Sequence, residues 1–321
     1  MRVGIFVSET WGDASTVDEV RDRARRAEAL GFPSGWVPYL PWSLDALACI
    51  QAAGEVTSKI ELGSAVIPTY FSHPLALARQ AATVQAAIGR PVHLGVGCSN
   101  EIVIAMHGLP YDRPAKHTRE YLEILGPALA AGANPNGTRE QAGFVQFEGE
   151  FFKTGSVYGT PGAKEMGSVL VGALGPHMLR AAGKFADGTI TTWSNPKAIA
   201  ETIAPALRAA AEEAGRPEPK IGGVVPVLLC DDAEAGRRHA QQEFAQYEML
   251  PRYRRMMDLG EAEAVSDVCV IGTPEQIAER LQDFRDAGMT DFLAAPLAFQ
   301  DAGWEDVASL LATLNDPDST A

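Results

Sequence analysis

The stretch that decides the fold is Ile60-Glu61-Leu62-Gly63-Ser64-Ala65-Val66-Ile67, followed by the loop Pro68-Thr69-Tyr70-Phe71-Ser72-His73, the Ala-rich run Pro74 to Ile88, and Val92-His93-Leu94-Gly95-Val96-Gly97. The first segment is a short apolar run bounded by turn residues, which predicts a buried strand. Pro74 to Ile88 predicts a helix, and its proline suits the first turn. Val92 to Val96 predicts the next strand, ended by Gly95 and Gly97. Strand, loop, helix, strand is the repeating unit of a parallel sheet with helices outside it.

The same alternation extends both ways. Upstream, Arg2 to Val7 and Ser34 to Val37 predict strands, and Val17 to Leu30 and Ser43 to Thr57 predict helices. Val17, Val20, Ala24, Ala27 and Leu30 recur at helical spacing, Thr16 with Glu19 forms a capping box, and Gly31 stops the helix. Downstream, strands are expected at Ser168 to Val171, Gly188 to Thr192, Ile221 to Leu229 and Asp291 to Ala295. Helices are expected at Thr118 to Ala131, His177 to Phe185, Lys197 to Ala214, Glu234 to Gln246, Pro274 to Ala287 and Trp304 to Leu314. Phe144 to Phe152 alternates with period two around Glu-Gly and reads as a hairpin, after a Gly/Asn/Pro-rich stretch from Gly132 to Gly143. Met249 to Ala264 reads as an irregular insertion rich in Arg and Met.

Eight strands, each followed by a helix, predict an α/β fold closed as a (β/α)8 TIM barrel. It is read as one domain over 1–321, with insertions at about 98–165 and 249–266. A doubly wound open sheet would want a Gly-rich first turn; here that turn is Ser8-Glu9-Thr10-Trp11-Gly12, without GxGxxG.

The 321 residues carry 27 Lys plus Arg against 41 Asp plus Glu, a formal charge of -14. A chain this acidic repels phosphate backbones, so nucleic acid is not an expected partner. No apolar run is long enough to span a membrane. Cys49, Cys98, Cys230 and Cys269 form no CxxC pair and read as reduced, buried thiols in a cytoplasmic protein. No His/Cys cluster has ligand spacing, so no metal is expected. His93 and His239 read as structural or surface residues; His107 and His117 fall in the first insertion.

Barrel chemistry sits at the C-terminal ends of the strands. There, Gly172-Ala173-Leu174-Gly175-Pro176-His177 leaves a strand and opens a helix, so its free N–H groups suit an anion, read as a phosphate seat. Gly63 to Pro74 leads small residues into an aromatic loop that could take a flat ring. Trp36, Tyr39 and Trp42 suit either one wall of an apolar pocket or ordinary barrel packing.

Taken together, four stretches resemble the luciferase-like flavin/deazaflavin oxidoreductases, most closely their coenzyme F420-dependent branch. These are Ala27-Glu28-Ala29-Leu30-Gly31-Phe32, Thr57 to Gly63 running on to Pro74, Leu94-Gly95-Val96-Gly97, and Gly172 through Ala186-Asp187-Gly188. The resemblance implies a TIM barrel, usually a homodimer, with a deazaflavin in the mouth. It implies a non-proline cis peptide at Ala65-Val66 backing the ring, and a phosphate held on Leu174, Gly175 and the helix opened by Pro176 and His177. Ser64, Ala65, Val66, Gly97, Gly172 and Ala173 complete the expected cofactor set. Several F420 enzymes end strand two with an Asp-His pair. This sequence has Pro38-Tyr39, so that proton-transfer scheme does not carry over, which also argues against glucose-6-phosphate dehydrogenase activity.

The activity so implied is hydride transfer between F420 and a small organic acceptor such as an activated C=C or C=N bond. Tyr39, His73, Glu9 and Glu101 are the side-chain candidates for the proton, beside solvent; Tyr39 titrates near 10 when unperturbed. Alternatives are an FMN-dependent monooxygenase using oxygen, a non-catalytic F420- or flavin-binding protein, and an unrelated barrel enzyme. F420 carries a phosphate and a polyglutamate tail, so basic groups are expected at the mouth despite the acidic total, with Arg79, Arg113, Lys116, Arg180 and Lys184 as candidates.

Overall fold

The computed structural model describes residues 1–9, 11, 15–134, 136–138, 140 and 142–315. Thr10 and Gly12 of the first strand–helix turn, and 135, 139 and 141 of the Gly/Asn/Pro-rich stretch, lie outside the described residues.

In chain order the first half comprises β1 (Arg2–Phe6), α1 (Val17–Ala29), β2 (Ser34–Val37), α2 (Ala46–Glu55), β3 (Glu61–Pro68), α3 (Pro74–Ile88), β4 (Val92–Gly97), α4 (Glu101–Met106) and α5 (Pro114–Gly132). Short strands β5 (Ala133–Asn134), β6 (Gly143–Glu148), β7 (Lys153–Tyr158) and β8 (Thr160–Pro161) follow. The second half comprises β9 (Val169–Gly172), α6 (Pro176–Phe185), β10 (Gly188–Thr192), α7 (Pro196–Ala198), a π-helical turn Ile199–Ile203, α8 (Ala204–Glu213), β11 (Lys220–Leu229), α9 (Ala233–Glu248), α10 (Pro251–Leu259), β12 (Val270–Gly272), α11 (Pro274–Asp286), β13 (Asp291–Pro296) and α12 (Trp304–Leu314).

Eight parallel strands close in the order β1, β2, β3, β4, β9, β10, β11, β13 and back to β1, so the fold is a TIM barrel. Closure needs β10 to pair on both sides, with Leu170 opposite Gly188 and Lys220 opposite Gly188. The interior is plugged by Phe6, Trp36, Leu170, Ile190, Leu293 and Ala295. Trp36 belongs to this plug rather than to a pocket wall, and its indole donates to Ser34 Oγ at 2.9 Å. A larger apolar layer fills the space between strands and helices. Parallel strands buried on both faces read as continuous apolar runs, which is why their bounds follow the sequence closely.

Local chemistry sets the joints. Glu19 N–H donates to Thr16 Oγ1 (3.2 Å) and Thr16 N–H donates to Glu19 Oε2 (2.6 Å), the reciprocal box that starts α1. At the other end of α1, the Glu28 carboxylate accepts the N–H groups of Ser58, Lys59 and Ile60. Glu28 therefore holds the chain where it turns into β3.

Three expectations need correction. Residues 249–264 are not irregular: Pro251–Leu259 is α10, with Met256 and Met257 buried beneath it. The hairpin is longer than Phe144 to Phe152, because Gly143–Glu148 pairs with Lys153–Tyr158 and Gly149 to Phe152 make the turn. The sequence reading also lacked α4 and the three-residue β12, which extends β11 beyond its barrel partners.

Candidate functional site

A cavity of about 760 Å³ opens at the C-terminal ends of the strands. Its floor is backbone. The Ala65-Val66 peptide in β3 is cis, and the β3–β4 register shifts between Ser64 and Ile67. The Ser64 hydroxyl bridges this irregularity to β4: it accepts from Gly95 N at 3.1 Å and donates to Gly95 O at 3.0 Å. The glycines opposite are obligatory for steric reasons. A Cβ on Gly95 would lie 2.1 Å from Ser64 O, and one on Gly97 would lie 2.8 Å from Val66 Cγ2. Gly172 takes up the other side, 3.2 Å by the same measure from Val66 Cγ2. Leu94-Gly95-Val96-Gly97 is thus the mould into which the bulge of β3 fits.

One end of the floor meets α6. Gly175 is its N-cap and makes no side-chain cap bond, and Pro176 occupies the first turn. The first-turn amides are open to an oxyanion, with the helix dipole behind them. Leu174 and Gly175 line the cavity. Ala173 is buried behind it, and His177 is exposed outside it.

The walls come from loops. Tyr39 and Trp42, after β2, form one side. Trp11, Trp193, Tyr247 and Tyr253 form another, with Trp193 and Tyr247 rings 4.6 Å apart and Tyr247 and Tyr253 5.8 Å apart. Cys98 to Asn100, Ile102 and Val103 enter from the first insertion, and Met249, Leu250, Arg252 and Tyr253 from the second.

Of the four proton-donor candidates, Tyr39 alone lines the cavity. Burial, with the Asp45 carboxylate adding to it, pushes its phenol above the usual value. His73 caps α3 instead, its Nδ1 accepting from Leu75 N at 3.2 Å. Glu101 is exposed in the first turn of α4. Glu9 is buried, and its Oε2 accepts from Ser15 N at 3.1 Å.

The five basic candidates are all engaged. Arg113 and Lys116 pair with Glu150, Arg180 (2.8 Å) and Lys184 (2.7 Å) with Glu213, and Arg79 lies over the Tyr158 ring. Sequence reasoning missed the cations of α10. Arg252 lines the cavity, and a side-chain carbon on Gly175 would lie 3.8 Å from Arg255 Nη1. The signal was there: Pro251 at a helix start and Tyr253, Met256, Met257 at helical spacing. Arg-rich character hid it.

The other histidines are placed by packing. His93 bridges Glu61 (3.0 Å) and Ser168 N (3.0 Å) at the opposite end of the barrel. His117 is buried, stacked 3.9 Å from Tyr70. Among the described residues, no three His, Cys, Asp or Glu side chains gather as a metal site. The four cysteines are free and buried, and no helix is long and apolar enough to cross a membrane.

The family described as luciferase-like monooxygenase matches residues 1–291. A 5,10-methylenetetrahydromethanopterin reductase of Methanopyrus kandleri is 31% identical over 197 residues, 59% of this chain but only 56% of that protein. An F420-dependent glucose-6-phosphate dehydrogenase of Nakamurella multipartita is 26% identical over 294 residues, 84% of each chain. Among solved structures, the coenzyme F420-dependent tetrahydromethanopterin reductase from Methanopyrus kandleri superposes with a TM-score of 0.75 at 21% identity, covering 97% of both chains.

Proposed function

The chain belongs to the luciferase-like monooxygenase family, and on that premise we propose that it is a coenzyme F420-dependent oxidoreductase. Its acceptor is a small organic molecule with an activated C=C or C=N bond. The observation that carries the reading is the cavity floor: the β3 bulge at Ala65-Val66 moulded against Gly97 and Gly172, ending at the uncapped start of α6. A flat ring and a phosphate fit those two features in that order, and relatives matched over most of their length are named for F420.

Ala65, Val66, Gly97 and Gly172 would back the ring; Leu174, Gly175 and the first amides of α6 would hold the phosphate. The bound deazaflavin supplies the hydride. The chain's own work is to position the acceptor over one ring face and keep water out, which the aromatic walls are built to do. Tyr39 is the proton donor in this reading. Its phenol carries its proton across the neutral range, which burial reinforces, so a proton is at hand there.

The test is a titration with F420, followed by turnover of F420H2 with an enone and imine panel. Micromolar F420 binding is expected. Tyr39→Phe should leave that affinity unchanged and slow turnover by about 100-fold. Binding of FMN in preference to F420 would overturn the assignment.

A further inference from the structure

Arg252 is the only formally charged side chain among the described residues that line the cavity. No carboxylate among the described residues lies within ion-pair distance of it, whereas Arg113, Lys116, Arg180 and Lys184 each pair with a glutamate. An arginine half-buried in an apolar chamber without a counter-ion carries a desolvation cost that a ligand anion would relieve.

Its geometry is fixed in advance. Nη1 donates to Ser99 O at 2.6 Å and to Cys98 Sγ at 3.4 Å, and Nη2 donates to Tyr111 OH at 2.5 Å. The guanidinium also lies 5.4 Å from the Tyr111 ring centroid. Tyr111 OH in turn donates towards Ser99 O (3.1 Å) or Cys98 Sγ (3.3 Å). Ser99 itself holds a left-handed φ of 57°. These bonds use three of the five N–H donors of a guanidinium and leave Nε–H and one Nη2 hydrogen for a ligand. None of the fixing partners is a carboxylate, so no acidic side chain of the described residues neutralises the charge.

We propose that Arg252 is the anion-binding group of this cavity, and that the molecule it selects carries an oxyanion, carboxylate or phosphoryl, beside a planar apolar body. The planar body follows from the aromatic side chains Trp11, Trp193, Tyr247 and Tyr253 in the same lining. Guanidinium recognition of such oxygens is strong because it is charge-assisted and directional. That the oxyanion belongs to the hydride acceptor rests on the function proposed above; the binding itself does not.

The experiment uses the cofactor-free full-length protein and calorimetric titration with benzoate and with benzamide, a neutral molecule of the same shape. Wild-type protein should bind benzoate at least tenfold more tightly. Arg252→Met should abolish that preference while leaving benzamide affinity within about twofold, and Arg252→Lys should keep part of it. Equal binding of the two probes by the wild type overturns the proposal without recourse to any variant, as does a benzoate preference that survives Arg252→Met in a folded protein. F420 is titrated in parallel. An unchanged F420 affinity in Arg252→Met assigns the oxyanion to the acceptor, and a tenfold loss assigns it to the cofactor. Failure of the wild type to bind F420 at all would sink the cofactor reading and leave the benzoate result standing.

Discussion

At the scale of single residues, the floor of the cavity makes the sharpest demand. Gly95 accepts no side chain because the carbonyl it would meet is backbone, Ser64 O, at 2.1 Å, and backbone held on both sides by a sheet cannot step aside. Gly95→Ala is therefore expected to cost about 1–3 kcal/mol, read as a shifted urea midpoint. Gly31→Ala gives no useful control, since its φ of 84° strains any side chain; Gly126, inside α5 with nothing near its Cβ position, does. His117 makes a different demand. Burial among aromatic rings holds its imidazole down to about 4, with Glu120 opposing the shift only in part. The folded state thus binds its proton later than the unfolded chain, whose histidine titrates near 6.5. The stability it leaves intact above that value is lost as pH falls from about 6.5 towards about 4, up to about 3 kcal/mol. His117→Phe should flatten that segment of the stability–pH curve, whereas an unchanged slope would show that the imidazole takes up its proton at the same pH in the folded and unfolded chain.

At the scale of elements, the contact between α1 and β3 shows how two distant sequence stretches become one joint. Glu28 closes on three successive amides at 58–60, so Glu28→Ala should lower the unfolding free energy by about 2 kcal/mol with little effect on cavity binding, measurable by chemical denaturation and ligand titration. The eight barrel strands and α3, α12 and the start of α1 were legible in the sequence because burial on both faces and helical spacing each leave a continuous local pattern. β12 was not: three residues carry no period, and Val270 opposite Val227 is decided by the partner strand. α10 was hidden by Arg252, Arg254 and Arg255, whose charges outweighed the apolar spacing beneath. The site was legible at its floor, in glycines and the strand-to-helix turn of Gly172 to Gly175. Its walls were not, because Arg252 meets Ser99 and Tyr111 from about 140 to 150 residues away and nothing local records such a meeting.

At the scale of the whole molecule, the charge of -14 sets how an anionic ligand arrives. The global field repels it; the proposed seat at α6 and α10 would receive it. Between about 0.01 and 0.15 M salt the screening length falls from about 30 to about 8 Å. The seat then keeps its pull at contact while the long-range repulsion fades. The association rate of F420 should therefore rise with salt, by about two- to tenfold in stopped-flow mixing. A rate that falls instead would show that the basic groups at the mouth dominate the field at a distance. The division of labour inside the barrel has its own consequence. The floor is built from main-chain atoms that tolerate almost no replacement, whereas part of the rim is built from side chains on the two insertions. Chemistry and choice of acceptor can consequently drift apart over evolutionary time: descendants of such a chain could exchange residues 100–103 and 249–253 and meet new molecules without relearning how to carry a hydride.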